Sequence, residues 1–427
     1  MRLEASSDVS KPPLYTYTPP NKMSDNESYE FPSVPQAVQI VSISNNPNDP
    51  SEQTFQLNGA AMDSILSRVD PEMKISVVSV VGAFRTGKSF LLSWFLRYLR
   101  GTSDLTSSAI NNEWVKTGGD SITGDGFHWR GGEERDTTGL WMWSEVFTRV
   151  GINGEKIGVL LVDTQGMFDC ETTMGLTAAI FGLSTLLSSF MIYNVDKRIQ
   201  EDNLQQLALF SEYGRMALVS DNAREGVSAD KSKPFQRIEF VVRDWQNFDD
   251  DTLPIQNLQK SMDTYLQKVI RSRPSKDLQE TREQITNCFE KIGCYLLPHP
   301  GFSVTKKTYD GSVSQIEDGF LRLLGGLCGK VFGHEMEPKR INGRDLTAGE
   351  LGEFVKAYSE MFHGGGGECQ LILFFYRERE YLFIRALPNL KMLTSDQPLL
   401  CSLPSVQNFL RRRLCWLLLP LPTTKMR

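Results

Sequence analysis

Two hydrophobic rhythms alternate through the middle of this chain. Ile75–Val81, Ile157–Val162, Phe190–Tyr193, Ile238–Val242 and Cys294–Leu297 are short apolar runs, several rich in β-branched residues, of the kind that form strands buried on both faces. Between them apolar residues recur at helical spacing, as in Ser89–Leu99. Strand-then-helix order from about Glu52 to Phe332 predicts an α/β fold, a mostly parallel sheet with helices on both faces. No internal repeat interrupts it.

One stretch, Thr172 to Val195, carries no charge and is long enough to cross a bilayer. Its content of Ser, Thr and Asn and its place between predicted strands point instead to a buried helix followed by a buried strand. The two ends of the chain follow neither rhythm. Residues 1–50 hold eight of the twenty prolines, which predicts a disordered leader over 1–35. An extended strand near Ala37–Ser44 then opens a domain spanning 36–345. Thr347 with Glu350 reads as a capping box for an amphipathic helix, the start of a helical bundle over 346–361.

After Phe362 the character changes. Gly364–Gly367, the apolar Leu371–Tyr376, five prolines and the Arg411–Arg413 cluster follow one another with neither period sustained. Nine Lys/Arg against four Asp/Glu make residues 362–427 basic in a chain of net charge −6, so a basic, poorly ordered tail is predicted. No apolar run in it reaches the width of a bilayer. Such a break is what an alternative terminus or a shifted reading frame produces.

Composition adds mainly exclusions. At 427 residues the chain can hold one large α/β domain with extras, and 40% hydrophobic with 23% charged residues is ordinary for a globular protein. Charges of both signs are interspersed, so no nucleic-acid footprint is present. Seven cysteines without a C-x-x-C pair and four scattered histidines support neither a zinc site nor a disulfide framework. Reduced thiols facing the cytosol are expected, and the N-terminus lacks a secretory signal.

Chemistry enters at Gly82-Ala-Phe-Arg-Thr-Gly-Lys-Ser89, which fits G-x-x-x-x-G-K-[ST]. It lies between a predicted buried strand and a predicted helix, where backbone N–H groups and the helix N-terminus aim at an anion. This predicts a P-loop NTPase fold, with Lys88 reaching the β- and γ-phosphates and Ser89 ligating Mg²⁺. Leu160–Val162 leads into Asp163-Thr-Gln-Gly166, a strand ending in D-x-x-G, whose carboxylate is expected to serve the metal and whose Gly166 N–H is expected to sense the γ-phosphate. Between the two lies Glu134-Arg-Asp-Thr-Thr-Gly-Leu-Trp141, where Thr137 is the better candidate to supply a switch hydroxyl to the metal. His128 just upstream reads as a packed or hydrogen-bonding histidine. No N-K-x-D follows the P-loop. In its place the strand Ile238–Val242 is followed by Arg243-Asp244-Trp245, and an aspartate at a strand tip can accept from the N1–H and N2–H₂ edge of guanine.

Taken with Trp129-Arg-Gly-Gly132, Arg135-Asp-Thr-Thr-Gly139, Gln200-Glu-Asp-Asn-Leu204, Ser211-Glu-Tyr-Gly-Arg215 and Leu297-Pro-His-Pro-Gly301, these blocks resemble the atlastin-type dynamin-like GTPases, relatives of the guanylate-binding proteins. The resemblance covers about residues 36–361. It implies that Arg85 acts as an internal arginine finger, and that Thr86, Gly87, Lys88, Ser89, Phe90 and Gln165 contact the nucleotide. It implies that Arg243 and Asp244 recognise guanine, with Val304 on a guanine-side loop and Lys307 where the family usually has Asn. Thr86 stands in place of the lysine usual after the arginine. The resemblance further implies GTP as substrate, dimerisation through the G domains, and a place on the cytosolic face of the endoplasmic reticulum, where relatives drive homotypic membrane fusion. Fusion in the family also uses a three-helix bundle, two membrane spans and an amphipathic tail, and only the first turns of the bundle are legible here. Two readings compete with a working GTPase: a non-fusing, nucleotide-gated module that modulates full-length relatives, and an ATP-dependent P-loop kinase. Arg243-Asp244 and Asp163-Thr-Gln-Gly166 disfavour the kinase.

Overall fold

The computed structural model describes residues 33–46, 49–102, 113–124, 126–129, 137–167, 172–225, 233–248, 250, 252–341, 343–363, 372–374 and 382–384. The expected disordered leader falls almost wholly outside them, as do Arg130–Asp136 and most of the basic tail, including Arg411–Arg413. The chain divides into two compact units, residues 1–360 and 361–427.

The first unit is built on nine strands: β1 (Ala37–Asn46), β2 (Asp49–Leu57), β3 (Lys74–Gly82), β4 (Leu140–Trp143), β5 (Phe147–Val150), β6 (Lys156–Thr164), β7 (Phe190–Asp196), β8 (Phe235–Arg243) and β9 (Phe289–Leu296). Their order across the sheet is β2-β1-β4-β6-β3-β7-β8-β9, with β5 also on β6. Strands β6, β3, β7, β8 and β9 run parallel, and they are the five apolar runs of the sequence. Ile75, Val78, Val80, Leu160, Val162, Ile192, Val241 and Val242 are all fully buried or nearly so, as strands covered on both faces must be.

Of the antiparallel flank, only β1 was legible in the sequence. β1 pairs with β2 and β4, while β4 and β5 share one edge of β6 end to end. Strands of four residues with a half-polar pattern, such as Phe147–Val150, are too short to show a period. The strand expected near Ala37–Ser44 is β1.

Among the described residues eight α-helices accompany the sheet: α1 (Gly59–Leu66), α2 (Lys88–Gly101), α3 (Met174–Leu187), α4 (Glu201–Glu225), α5 (Ile255–Ile270), α6 (Lys276–Cys288), α7 (Asp318–Phe332) and α8 (Ala348–His363). The crossover from β3 through α2 heads toward β6, whereas those from β6 through α3 and from β7 through α4 head the other way. Right-handed crossovers in opposite directions cover opposite faces, and α2 accordingly packs with α7 while α3, α4 and α6 form the other layer. The uncharged stretch from Thr172 is α3 plus β7, with Thr173 capping the helix and Leu176–Leu187 buried all round. Among the described residues no helix is long and apolar enough to cross a membrane.

A short ladder, β10 (Arg340–Ile341) with β11 (Arg344–Asp345), leads into α8. There the Thr347 N–H donates to Glu350 Oε2 at 3.1 Å, one arm of the expected capping box. Val355 and Tyr358 are buried, and Lys356 pairs with Asp63 of α1 at 2.9 Å. The second unit contributes a hairpin, β12 (Ile372–Phe374) with β13 (Leu382–Ile384). Strands of three residues leave no alternation to read in the sequence.

Candidate functional site

The C-terminal tips of the parallel strands form one edge, and the chain reverses its direction of winding beside β3, the place where open α/β sheets bind ligands. Gly82 ends β3 at φ 151°, and a Cβ there would meet the Asn194 carbonyl oxygen at 2.4 Å. Gly87, at φ 75°, opens α2 in the left-handed region. The loop between them is fastened from two sides. Asn194 Nδ2, at the tip of β7, donates to the Thr86 carbonyl at 2.6 Å, and Thr86 Oγ1 donates to the Ala83 carbonyl at 2.8 Å. On the other side Phe84 N–H donates to Met167 O and Met167 N–H to Gly82 O, at 3.0 and 3.1 Å. Gly166 has no room for a side chain because its Cβ would lie 2.5 Å from Phe84 Cα. The segment after β6 is thus zipped onto the loop.

Four predicted residues converge inside. Ser89 Oγ donates to Asp163 Oδ2 at 2.5 Å, Thr137 Oγ1 donates to the same oxygen at 3.3 Å, and the two hydroxyls lie 3.4 Å apart. Lys88 Nζ reaches the Ala83 carbonyl at 3.1 Å. Burial pushes Lys88 down to about 8 against the pull of Asp163, and pushes Asp163 up to about 6 against Lys88 and the two hydroxyls. Both charges are therefore under-compensated. Phosphate oxygens would supply what Lys88 lacks, and a cation would supply what Asp163 lacks. Asp163 Oδ1 is buried without a hydrogen-bond partner, so three hard oxygens stand together with one carboxylate oxygen uncommitted. That donor set suits Mg²⁺.

Lys88, Ser89 and Thr137 line a cleft of about 140 Å³ with Phe84, Arg85, Thr86, Gly87, Phe90, Trp129 and Gly166, and Asp163 lies behind the two hydroxyls. Arg85 sits at φ 62°, with its guanidinium 5.8 Å from the Phe84 ring centre. Only three described non-glycine residues have positive φ: Arg85, Lys197 and Asp244. They follow the ends of β3, β7 and β8, so backbone strain collects along this edge.

Further along the edge, Arg243 donates to Asp244 at 2.9 Å and pairs with Asp196 of β7 at 3.3 Å. The tips of β8 and β9 are joined by Leu297 N–H to Val242 O and Trp245 N–H to Leu297 O, so the loop that follows β9 leaves the sheet beside Asp244. Val304, half-buried, and Lys307, exposed, lie in that loop and do not line the cleft. Gln165 does not line it either. Its Oε1 accepts from Gly139 N–H at 2.9 Å, its Nε2 donates to Thr172 at 2.5 Å, and its own N–H donates to Gly139 O at 2.8 Å. It anchors the end of the segment that carries Thr137. Gly139 (φ 70°) presses on β1, since its Cβ would lie 1.9 Å from Val41 O, and Gln39 of β1 donates to Thr138 O at 2.9 Å.

Sequence reasoning missed Asn194 and Trp129 as site residues. Asn194 ends an apolar strand, a signal that was available. Trp129 packs edge-on to Phe90 at 5.1 Å and stacks on Tyr309 at 6.0 Å, contacts that only the fold creates.

A glycine loop on β3, an acid on β6 and a hydroxyl from the intervening segment divide the work as P-loop nucleotide hydrolases do, and fold and site together define that class. Residues 52–340 match the family described as guanylate-binding protein, N-terminal domain. Atlastin of Drosophila melanogaster is 39% identical over 334 residues, 77% of this chain and 57% of that protein. Atlastin-2 of Homo sapiens is 39% identical over 316 residues, 73% of this chain and 51% of that protein. Atlastin-1 of Mus musculus is 38% identical over 316 residues, covering 73% and 53%. The chain belongs to the guanylate-binding protein family. It spans about half the length of these relatives.

Proposed function

We propose that this chain binds GTP with Mg²⁺ at the tip of β3, hydrolyses it to GDP and phosphate, and pairs with a second copy through the nucleotide-bearing edge. The carrying observation is that Ser89 and Thr137, lining one cleft beside Lys88, both meet the carboxylate of Asp163. In this reading Lys88 and the loop N–H groups hold the β- and γ-phosphates, and Ser89, Thr137 and Asp163 hold the metal, which would neutralise phosphate charge. Arg85, at the mouth, adds positive charge as water attacks the γ-phosphorus and the bond to the β–γ bridging oxygen breaks. Gly166 N–H faces the γ-phosphate. Asp244 accepts from the guanine edge, oriented by Arg243, with Val304 and Lys307 in the loop above the base. Gln165 acts through Gly139, which places Thr137.

The names of the relatives attach such a site to atlastins, and the family resemblance attaches those to homotypic fusion at the cytosolic face of the endoplasmic reticulum. For this chain we carry over G-domain pairing at that membrane, with full-length relatives as further partners. Isothermal titration with GTP, GDP and ATP, followed by phosphate release and sedimentation with a non-hydrolysable GTP analogue, tests the reading. Equal affinity for ATP, or a monomer at every nucleotide state, would overturn its two halves separately.

A further inference from the structure

The loop after β9, residues 297–312, is the base-side wall of the site in the reading above, on which this inference rests. Its outgoing end is fixed by the sheet and by Glu317 N–H donating to Pro300 O at 3.0 Å. Its returning end is fixed by a different part of the chain, residues 113–124. Val313 N–H donates to Asp120 O at 2.8 Å, Ser314 N–H to Asp120 Oδ1 at 3.1 Å, and the Ser312 and Ser314 hydroxyls to Asp120 Oδ2 at 3.0 and 3.3 Å. Ile122 N–H adds a bond to Gly311 O at 2.9 Å. One aspartate thereby caps the turn on which the loop closes, across nearly two hundred residues of sequence.

Residues 113–124 are in turn held by α2. Arg97, buried, donates to the carbonyls of Val115 at 2.8 Å, Gly119 at 3.1 Å, and Ser121. The same helix begins at Lys88 and Ser89. Phosphate end and base end are therefore mounted on one beam, with Asp120 at the joint. The geometry points to Asp120 as a positioning residue for guanine recognition: it sets where the loop after β9 stands over the base beside Asp244, and it touches neither phosphate nor metal.

The test uses the full chain with fluorescent GDP, GTP turnover, and inorganic triphosphate as a base-free competitor. Asp120→Ala is expected to release GDP about tenfold faster and to raise KM for GTP similarly, with kcat unchanged. Its affinity for inorganic triphosphate should equal that of the parent. Asp120→Asn keeps an oxygen for Ser314 N–H and should recover part of the loss. The Ser312→Ala, Ser314→Ala double variant leaves residues 113–124 untouched and should shift GDP release in the same direction by about two- to threefold. Unchanged GDP release in Asp120→Ala, or an equal loss of triphosphate affinity, would overturn the assignment. Asp244→Asn run alongside separates the causes. If it weakens GDP binding while Asp120→Ala does not, the positioning role alone fails; if it has no effect, the guanine-site reading fails first and takes this one with it.

Discussion

Lys88 and Lys339 stand at opposite ends of the same sheet, both almost without exposure, and loss of water lowers both, to about 8 and about 7. Their surroundings differ. Lys339 lies where β3 and β7 begin, its Nζ donating to Ser188 O at 2.9 Å, its backbone N–H donating to Ile75 O, and the Arg340–Glu290 pair close by. It is sealed in. Lys88 faces an open cleft with a buried carboxylate, two hydroxyls and left-handed backbone around it. A depressed lysine alone marks burial; a depressed lysine beside open space and complementary oxygens marks a place made for a ligand.

The contrast breaks most sharply on truncation. Lys88→Ala is expected to lower GTP affinity by about a hundredfold or more in titration calorimetry, because the β- and γ-phosphates lose their cation. Lys339→Met should leave that affinity unchanged. Next in size, Arg85→Ala should keep nucleotide binding while single-turnover hydrolysis falls by about 10³. Parental turnover in that variant would remove Arg85 from the chemistry. Asp244→Asn should cost guanine nucleotides about ten- to a hundredfold and favour xanthine nucleotides.

The smallest effects concern protons and differ between the two lysines. Free Lys88 loses its charge near pH 8, while bound phosphate favours the charged form, so GTP affinity should fall as pH rises through about 8. Calorimetry in buffers of different ionisation heat should show proton uptake there. At the acid side, Asp163 protonates below about 6, so metal-dependent affinity should fall as pH drops through that value. Lys339 binds a proton less readily folded than unfolded, so between about 7 and its ordinary 10.5 the unfolded chain holds more protons and folding stability rises with pH. Lys339→Met should flatten that slope in denaturant titrations at pH 7 and pH 9. An unchanged slope would assign it to another group.

What could be read in the sequence was what has a period or a fixed spacing. The five parallel strands announced themselves because burial on both faces demands unbroken apolar runs, and Gly82–Ser89 announced itself because a loop around phosphates admits few sequences. Lys88, Ser89, Thr137 and Asp163 were legible for that reason. Gln165 was placed beside the nucleotide by resemblance, and its position against Gly139 depends on a register between β4 and β6 that no local pattern encodes. Asp120 was invisible for the same reason, since its partners lie at Ser312–Ser314. On the antiparallel flank β4 and β5, four residues each, were lost through shortness.

That flank carries a lesson for anyone trimming this protein. The family model matches from residue 52, yet β1 ends at Asn46 and backs the segment bearing Thr137 through Gln39 and Val41. A fragment cut at residue 52 would keep every group that faces the phosphates and lose the wall behind the switch. It would bind and stall. The working unit thus reaches at least as far back as β1, beyond the first residue of the matched domain.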